Sequence, residues 1–256
     1  MIKILVATKN KGKIKEIREI LKTLSIKIIE LPENDEDTVK EDGETYLENA
    51  LKKAQYYANK YKLPTLSDDS GLEVDALSGA PGINSARFLG EKTSFDEKMK
   101  KILELLKDNS NRKARFKTVV ALYLPREKRY FTTEGIVEGE ILEAPEKKEG
   151  SGFGYDPIFK PIGFDKSFSM LGKEVKNKIS HRSKALDKMK KIIEENFLGG
   201  NKMIEIKVNG KRFPANKYIY EVFKSVIFAL INTLKNVPEI DSVEITIKKD
   251  KEKEIS

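Results

Sequence analysis

The chain has 256 residues, 35% charged and 39% hydrophobic, with 49 Lys and Arg against 41 Asp and Glu for a formal charge of +8. It contains no cysteine and one histidine, which excludes disulfides, thiolate zinc sites, cysteine nucleophiles and multi-histidine metal centres. Acidic residues are interspersed among the basic ones, so a mixed solvated surface is expected rather than a dedicated nucleic-acid face, and the length allows one large domain or two smaller ones.

The chain opens on Met1-Ile2-Lys3-Ile4-Leu5-Val6, which reads as a short buried strand and is too short for a signal peptide or a membrane span. A cytoplasmic location is therefore expected. Thr8-Lys9-Asn10-Lys11-Gly12-Lys13 follows, and then Ile14, Ile17, Ile20, Leu21 and Leu24 at helical spacing. Strand, glycine-bearing polar loop and helix present backbone N–H groups to an anion, with three lysines beside them. The segment is not a Walker A sequence, and an ordinary loop with surface lysines fits it equally. Ile26 to Leu31 reads as a second strand, followed by an acidic stretch through Asp35, Asp37 and Glu41. Thr45 with Glu48 forms a capping-box signal for a helix carrying Leu47, Ala50, Leu51, Ala54, Tyr57 and Ala58 inward and stopping before Pro64.

Ser67-Asp68-Asp69-Ser70-Gly71 is the stretch around which the rest is organised. It reads as a strand-to-loop junction, where two adjacent carboxylates beside a hydroxyl suit a hard cation such as Mg²⁺. The same residues also compose an ordinary polar turn. Downstream come a turn-rich loop from Ala80 to Arg87 and an amphipathic helix from about Ser94 to Lys107. Arg115 to Leu124 is the strongest strand signal, with Lys128–Val137 and Val137–Leu142 as two further strands in antiparallel pairing.

Gly150-Ser151-Gly152-Phe153-Gly154-Tyr155-Asp156-Pro157 alternates glycines with an aromatic, which allows close approach to a ligand and stacking on a base, and reads equally as a flexible loop. Lys176 to Arg182 then leads into a last amphipathic helix with Ala185, Leu186, Met189, Ile192, Ile193 and Phe197. His181 with Arg182 stands at its entrance, suited to a base edge or a phosphate, although a lone histidine is more often structural.

The order of these motifs resembles that of the inosine triphosphate pyrophosphatase family, the XTP/dITP diphosphatases, over residues 1–198. The resemblance rests on Thr8–Lys13, Glu41-Asp42-Gly43-Glu44-Thr45 with Glu48-Asn49-Ala50, and Ser67–Leu72. It continues through Ala80-Pro81-Gly82 with Ser85-Ala86-Arg87, Gly152–Pro157 and Ile179-Ser180-His181-Arg182. It implies an α/β fold: an elongated mixed sheet with flanking helices, making two lobes around a substrate cleft. It also implies a homodimer, Mg²⁺ as cofactor, and hydrolysis of ITP, dITP, XTP or dXTP to the monophosphate and pyrophosphate. Carried over by position, Thr8, Lys9, Asn10, Lys11, Gly12 and Lys13 hold the phosphates. Glu41 and Asp69 bind the metal, and Asp69 is the catalytic base. Ser70, Phe153, Gly154, Tyr155, Asp156, Lys176, His181 and Arg182 contact the substrate.

Gly199-Gly200-Asn201 reads as a linker (199–202), and residues 203–256 lie outside the resemblance. Alternating Ile204, Ile206 and Val208, an Asn209-Gly210 turn, an amphipathic helix from Tyr218 to Leu234 and a strand through Val243, Ile245 and Ile247 predict a ββαβ module. It carries no catalytic constellation, and it lacks the strand aromatics that stack nucleic acid. Two other readings compete with the pyrophosphatase. One is a related enzyme acting on modified pyrimidine or other triphosphates. The other is a catalytically quiet nucleotide- or RNA-binding protein, which has no need of Asp69 beside Glu41.

Overall fold

A computed structural model of the chain describes residues 2–147 and 154–198 throughout, with 207–208, 211–212, 222–223, 225–227, 229–230 and 233. The chain divides into two compact units, Met1–Gly200 and Asn201–Ser256.

In the first unit β1 (Ile2–Val6), α1 (Lys11–Leu21), β2 (Ile26–Glu30), α2 (Tyr46–Tyr61) and β3 (Thr65–Val74) follow one another. Then come α3 (Phe95–Leu105), β4 (Lys113–Leu124), β5 (Arg129–Ile141), β6 (Phe159–Pro161), α4 (Phe168–Ile179) and α5 (His181–Ile193). The strands form one mixed sheet in the order β2-β1-β3-β4-β5-β6. β1 runs parallel to β2 and β3, whereas β3, β4, β5 and β6 pair antiparallel in turn. The mixed sheet with flanking helices is the expected α/β architecture.

Each helix starts where its sequence can cap it. The Asn10 side chain accepts from Gly12 and Lys13 N–H, Thr45 accepts from Glu48, and Ser94 with Glu97 closes a full capping box. Ile14, Ile17 and Leu21 then fall on the buried side of α1 at helical spacing. β4 is apolar on both faces because both are covered. Val119, Ala121 and Tyr123 pack with α2 residues Ala50, Ala54 and Ala58, while Val120, Leu122 and Leu124 pack with α1 and α5. A separate apolar cluster gathers Leu72, Val74, Phe116, Ile158, Phe159 and Phe168 toward the far half of the sheet.

The cleft follows from the topology. β1 pairs with β3 at only two positions, Leu5↔Thr65 and Val6↔Leu66, before the chain leaves into Ala7-Thr8. β3 continues beside β4 through ten register pairs, so from Ser67 to Leu72 its other edge has no strand beside it among the described residues. The connections from β1 to β2 and from β2 back to β3 diverge there, which is the switch point where open α/β sheets bind ligands.

Four expectations need correction. Ser67–Gly71 is not a strand-to-loop junction but the middle of the ten-residue β3, held by the continuous ladder from β4. Lys128–Val137 and Val137–Leu142 form a single strand, Arg129–Ile141, whose length matches β4. The helix Phe168–Ile179, interrupted at Gly172 (φ +78°), is absent from the sequence reading. Leu47 is 40% exposed, while polar Asn49 and Lys53 turn inward on α2.

In the second unit Lys207–Val208 pairs antiparallel with Lys211–Arg212, as the Asn209-Gly210 signal predicts. Helical positions between 222 and 230 fall inside the predicted helix. The linker, the turn residues themselves and the predicted strand Val243–Ile247 lie outside the described residues.

Candidate active site

β3 carries the site because its residues alternate between two differently covered faces. Ser67 and Asp69 point toward α2: the Ser67 hydroxyl donates to the Ala50 carbonyl, and Asn49 Nδ2 donates to Asp69 Oδ2 at 3.0 Å. Asp68 and Ser70 point the other way, toward α1 and α5. Asp68 Oδ2 meets Lys13 Nζ at 2.9 Å and Arg182 Nε at 3.2 Å, and Arg182 Nη2 donates to Ser70 Oγ at 3.3 Å. Gly71, next along, has no room for a Cβ, which would lie 2.1 Å from the Gly82 carbonyl oxygen.

The two carboxylates differ electrostatically. Both are buried. Burial opposes ionisation of Asp68, but Lys13, Arg182 and Lys53 outweigh it and hold its pKa far below the ordinary range. Asp69 goes the other way. Burial raises its pKa and the Glu41 carboxylate raises it further, against the pull of Lys53 and the Asn49 hydrogen bond.

Both lie at or beneath a cleft of about 420 Å³, within the roughly 300–1,000 Å³ common for small-ligand sites. Its lining includes Thr8, Lys9, Asn10, Lys13, Glu41, Lys53, Asp69 and Ser70 at one end, with Phe95, Phe116, Gly154, Tyr155 and His181 among the rest. Asp156, Lys176 and Arg182 line it too. Lys11 and Gly12 do not. Both are exposed, and the Gly12 and Lys13 N–H groups are taken by the Asn10 side chain. Lys9 borders the cleft, but its ammonium donates to the backbone carbonyls of Asp35 and Asp37. Phe153 lies outside the described residues.

The aromatic side of the cleft is closely packed. His181 stacks on Phe116 with centroids 4.8 Å apart and planes 12° apart, and its Nδ1 is buried with no partner among the described residues. Burial and the neighbouring Arg182 and Lys176 charges push its pKa well below the usual value, so the imidazole is neutral at pH 7 and offers one donor and one acceptor. The α5 N-terminus comes close because β5 has Gly135, where a Cβ would lie 1.9 Å from the His181 carbonyl oxygen. Tyr155 is pinned by its hydroxyl to the Ser85 carbonyl at 2.8 Å and meets Phe95 edge-on at 5.3 Å. Lys176 pairs with Asp156 at 2.6 Å, and Glu16 receives both Arg182 and Lys176.

Sequence reasoning missed Lys53, whose Nζ sits 2.7 Å from Glu41 and 2.6 Å from the Asp68 carbonyl oxygen. The available signal was spacing. Lys53 follows Asn49 by four positions, so both occupy the helix face that meets β3. Glu16 was also missed, because an acidic residue just after the lysines that open α1 looks like surface charge.

A family model described as the Ham1 family matches residues 4–192. A dITP/XTP pyrophosphatase of Flavobacterium johnsoniae is 46% identical over 189 residues, covering 73% of this chain and 96% of that protein. The dITP/XTP pyrophosphatase of Aquifex aeolicus is 43% identical, covering 75% and 97%. The solved structure of a HAM1 protein from Coxiella burnetii superposes with a TM-score of 0.71 at 38% identity, over 76% of this chain and all of that one. The order of motifs, the cleft at the β1–β3 switch point and these relatives lead to one assignment: the chain belongs to the Ham1 family of dITP/XTP pyrophosphatases.

Proposed function

We propose that the protein hydrolyses non-standard purine nucleoside triphosphates (ITP, dITP, XTP and dXTP) to the monophosphate and pyrophosphate, with Mg²⁺, in the cytoplasm and as a homodimer. The observation that carries this reading is that Asp69, Glu41, Lys13 and Lys53 all line the cleft, with Lys53 bonded to both Glu41 and the Asp68 carbonyl and Lys13 paired with Asp68. The names of the relatives supply the substrate class.

The residues fit a magnesium ion. Mg²⁺ held together with substrate phosphates needs only one or two carboxylates and keeps several waters. Glu41 and Asp69 supply two. Among the described residues no three acidic or imidazole groups converge into a closed cage. Burial and Glu41's charge oppose ionisation of Asp69, a cost that a bound cation relieves. When bound, the ion would neutralise phosphate charge and lower the pKa of water beside it.

The chain's own residues do the rest. Lys13 and Lys53 stand where phosphate oxygens would accept from them, and phosphoanhydride cleavage depends chiefly on such positioning and charge stabilisation. Asp69, fixed by Asn49, orients and deprotonates the attacking water. At the other end, hypoxanthine and xanthine present a 6-oxo acceptor where adenine presents an amino donor. Donors from His181 and Arg182 match the acceptor, and a site whose donors are left unpaired by the wrong base discriminates by orders of magnitude.

The test is pyrophosphate release from dITP, XTP, dATP, dGTP and dUTP with Mg²⁺, for the full chain and for a chain ending at Leu198. Turnover of dITP and XTP far above the others is expected from both. Preference for dUTP would favour the pyrimidine reading, and no release from any triphosphate would refute the assignment.

A further inference from the structure

Residues Leu31–Thr45, between β2 and α2, form neither helix nor strand, yet Leu31, Asp37, Thr38, Val39 and Glu41 line the cleft. A segment this long without regular structure loses conformational entropy whenever it must order around a ligand. Here it is already fastened. α2 presents Tyr56, Tyr57, Lys60 and Tyr61, at i, i+1, i+4 and i+5, to the two aspartates of the segment. Tyr56 donates to Asp37 Oδ2 at 2.6 Å, and Tyr57 donates to the Asp37 carbonyl at 2.8 Å. Lys60 Nζ bridges Asp35 Oδ1 at 3.0 Å and Asp37 Oδ2 at 2.6 Å, while the Tyr61 hydroxyl donates to Asp35. Lys9 closes the other side on the Asp35 and Asp37 carbonyls.

Both oxygens of Asp35 are occupied, Oδ1 by Lys60 and the Asp37 N–H and Oδ2 by Tyr61, and its side chain is 1% exposed. Such a carboxylate is a fastening rather than a ligand. Between the fastening and the cleft, Val39 packs with Leu5, Ala7, Leu31 and Tyr57. Two residues further, Glu41 reaches back to α2 and meets Lys53, two turns before Lys60. The segment is thus tied to α2 at Asp35 and Asp37, again at Glu41, and past it by the Asp42–Lys52 pair and the Gly43 N–H donating to Asn49 Oδ1, and the metal-ligand candidate stands between these ties.

Building on the pyrophosphatase reading, we infer that Asp35, Asp37, Lys60 and Lys9 are positioning residues that hold the Glu41-bearing segment in its metal-binding arrangement before substrate arrives. This gives Lys9 a role separate from phosphate binding. A ligand group that is competent only part of the time loses apparent affinity in proportion to the fraction that is competent, so loosening the fastening weakens metal binding without touching a ligand.

The test uses the full chain with Lys60→Met and Lys60→Arg; Lys60 is partly exposed, so both variants keep the core intact. Without metal or nucleotide, amide hydrogen exchange over residues 37–42 should speed up about tenfold in Lys60→Met, return toward wild type in Lys60→Arg, and stay unchanged in β3. At saturating dITP, the Mg²⁺ concentration for half-maximal pyrophosphate release should rise about five- to tenfold in Lys60→Met, with kcat recovered at high Mg²⁺. Against a Glu41→Gln background the substitution should add no further shift. Wild-type exchange over 37–42 in Lys60→Met overturns the fastening, and an unchanged Mg²⁺ requirement with lowered kcat overturns its link to Glu41. If the wild-type chain releases no pyrophosphate at all, the functional reading fails and the exchange measurement alone decides the fastening.

Discussion

Asp68 and Asp69 are identical side chains one residue apart on one strand, and they end in opposite circumstances. Asp68 is enclosed by Lys13 and Arg182, so its charge is fully answered inside the protein. Asp69 accepts from the Asn49 amide and the Ser70 N–H, faces the cleft, and shares it with another carboxylate, Glu41. The pleat separates them, since a period of two sends neighbours to opposite faces. A buried carboxylate paired with cations is structural, whereas one at a cleft with hydrogen bonds but no ion pair among the described residues is available for chemistry.

The sharpest way to break that contrast is to neutralise each aspartate in turn. Asp69→Asn should cut pyrophosphate release by about 10²–10⁴-fold, the usual contribution of a general base, while the unfolding midpoint holds or rises. Asp68→Asn should do the reverse in kind. It strands Lys13 and Arg182 in a buried site, and losing one partner of such a cluster costs about 3–5 kcal/mol, readable in urea unfolding. A variant that loses activity at wild-type stability would place Asp68 in the chemistry instead. Next in size, Lys13→Ala should raise KM for dITP about tenfold or more, because it removes a cation from the phosphate end of the cleft as well as a partner of Asp68. An unchanged KM would confine Lys13 to the ion cluster.

The smallest effect concerns the other end of the cleft. His181 is the only histidine, so its ring resonances can be followed by NMR without assignment. They should show no protonation as pH falls through about 6.5, the value of a free imidazole. The sign for stability follows from the same shift. The unfolded chain takes up a proton below about 6.5 that the folded chain refuses, so stability falls with pH below that point. Titration near 6.5 would mean that the imidazole is not enclosed as the structure shows.

Much of the fold could be read from the sequence. The Thr45–Glu48 cap, the apolar spacing of α1 and α3 and the apolar run of β4 placed helices and strands, because those signals are local. Ser67–Gly71 was misread for a physical reason: two carboxylates, a hydroxyl and a glycine look like a turn until Lys13, Arg182 and Asn49 arrive from distant segments to satisfy them. Lys53 and Glu16 were passed over for the same reason, since a charged residue on a helix reads as solvated until its partner is known. The family resemblance implied Asp69 and Glu41 as a pair, but only the divergence of β1 from β3 explains why a cleft opens there. The fastening of Leu31–Thr45 to α2 left no mark in composition, where Asp35 and Asp37 belong to an acidic run.

The most direct measurement is product analysis of dITP incubated with Mg²⁺ and the purified full chain, beside a parallel sample of Asp69→Asn. Equimolar dIMP and pyrophosphate from the first, formed about 10²–10⁴-fold more slowly by the folded variant, is the result this account predicts. Release of dIDP and phosphate, or ordinary turnover by Asp69→Asn, would contradict it.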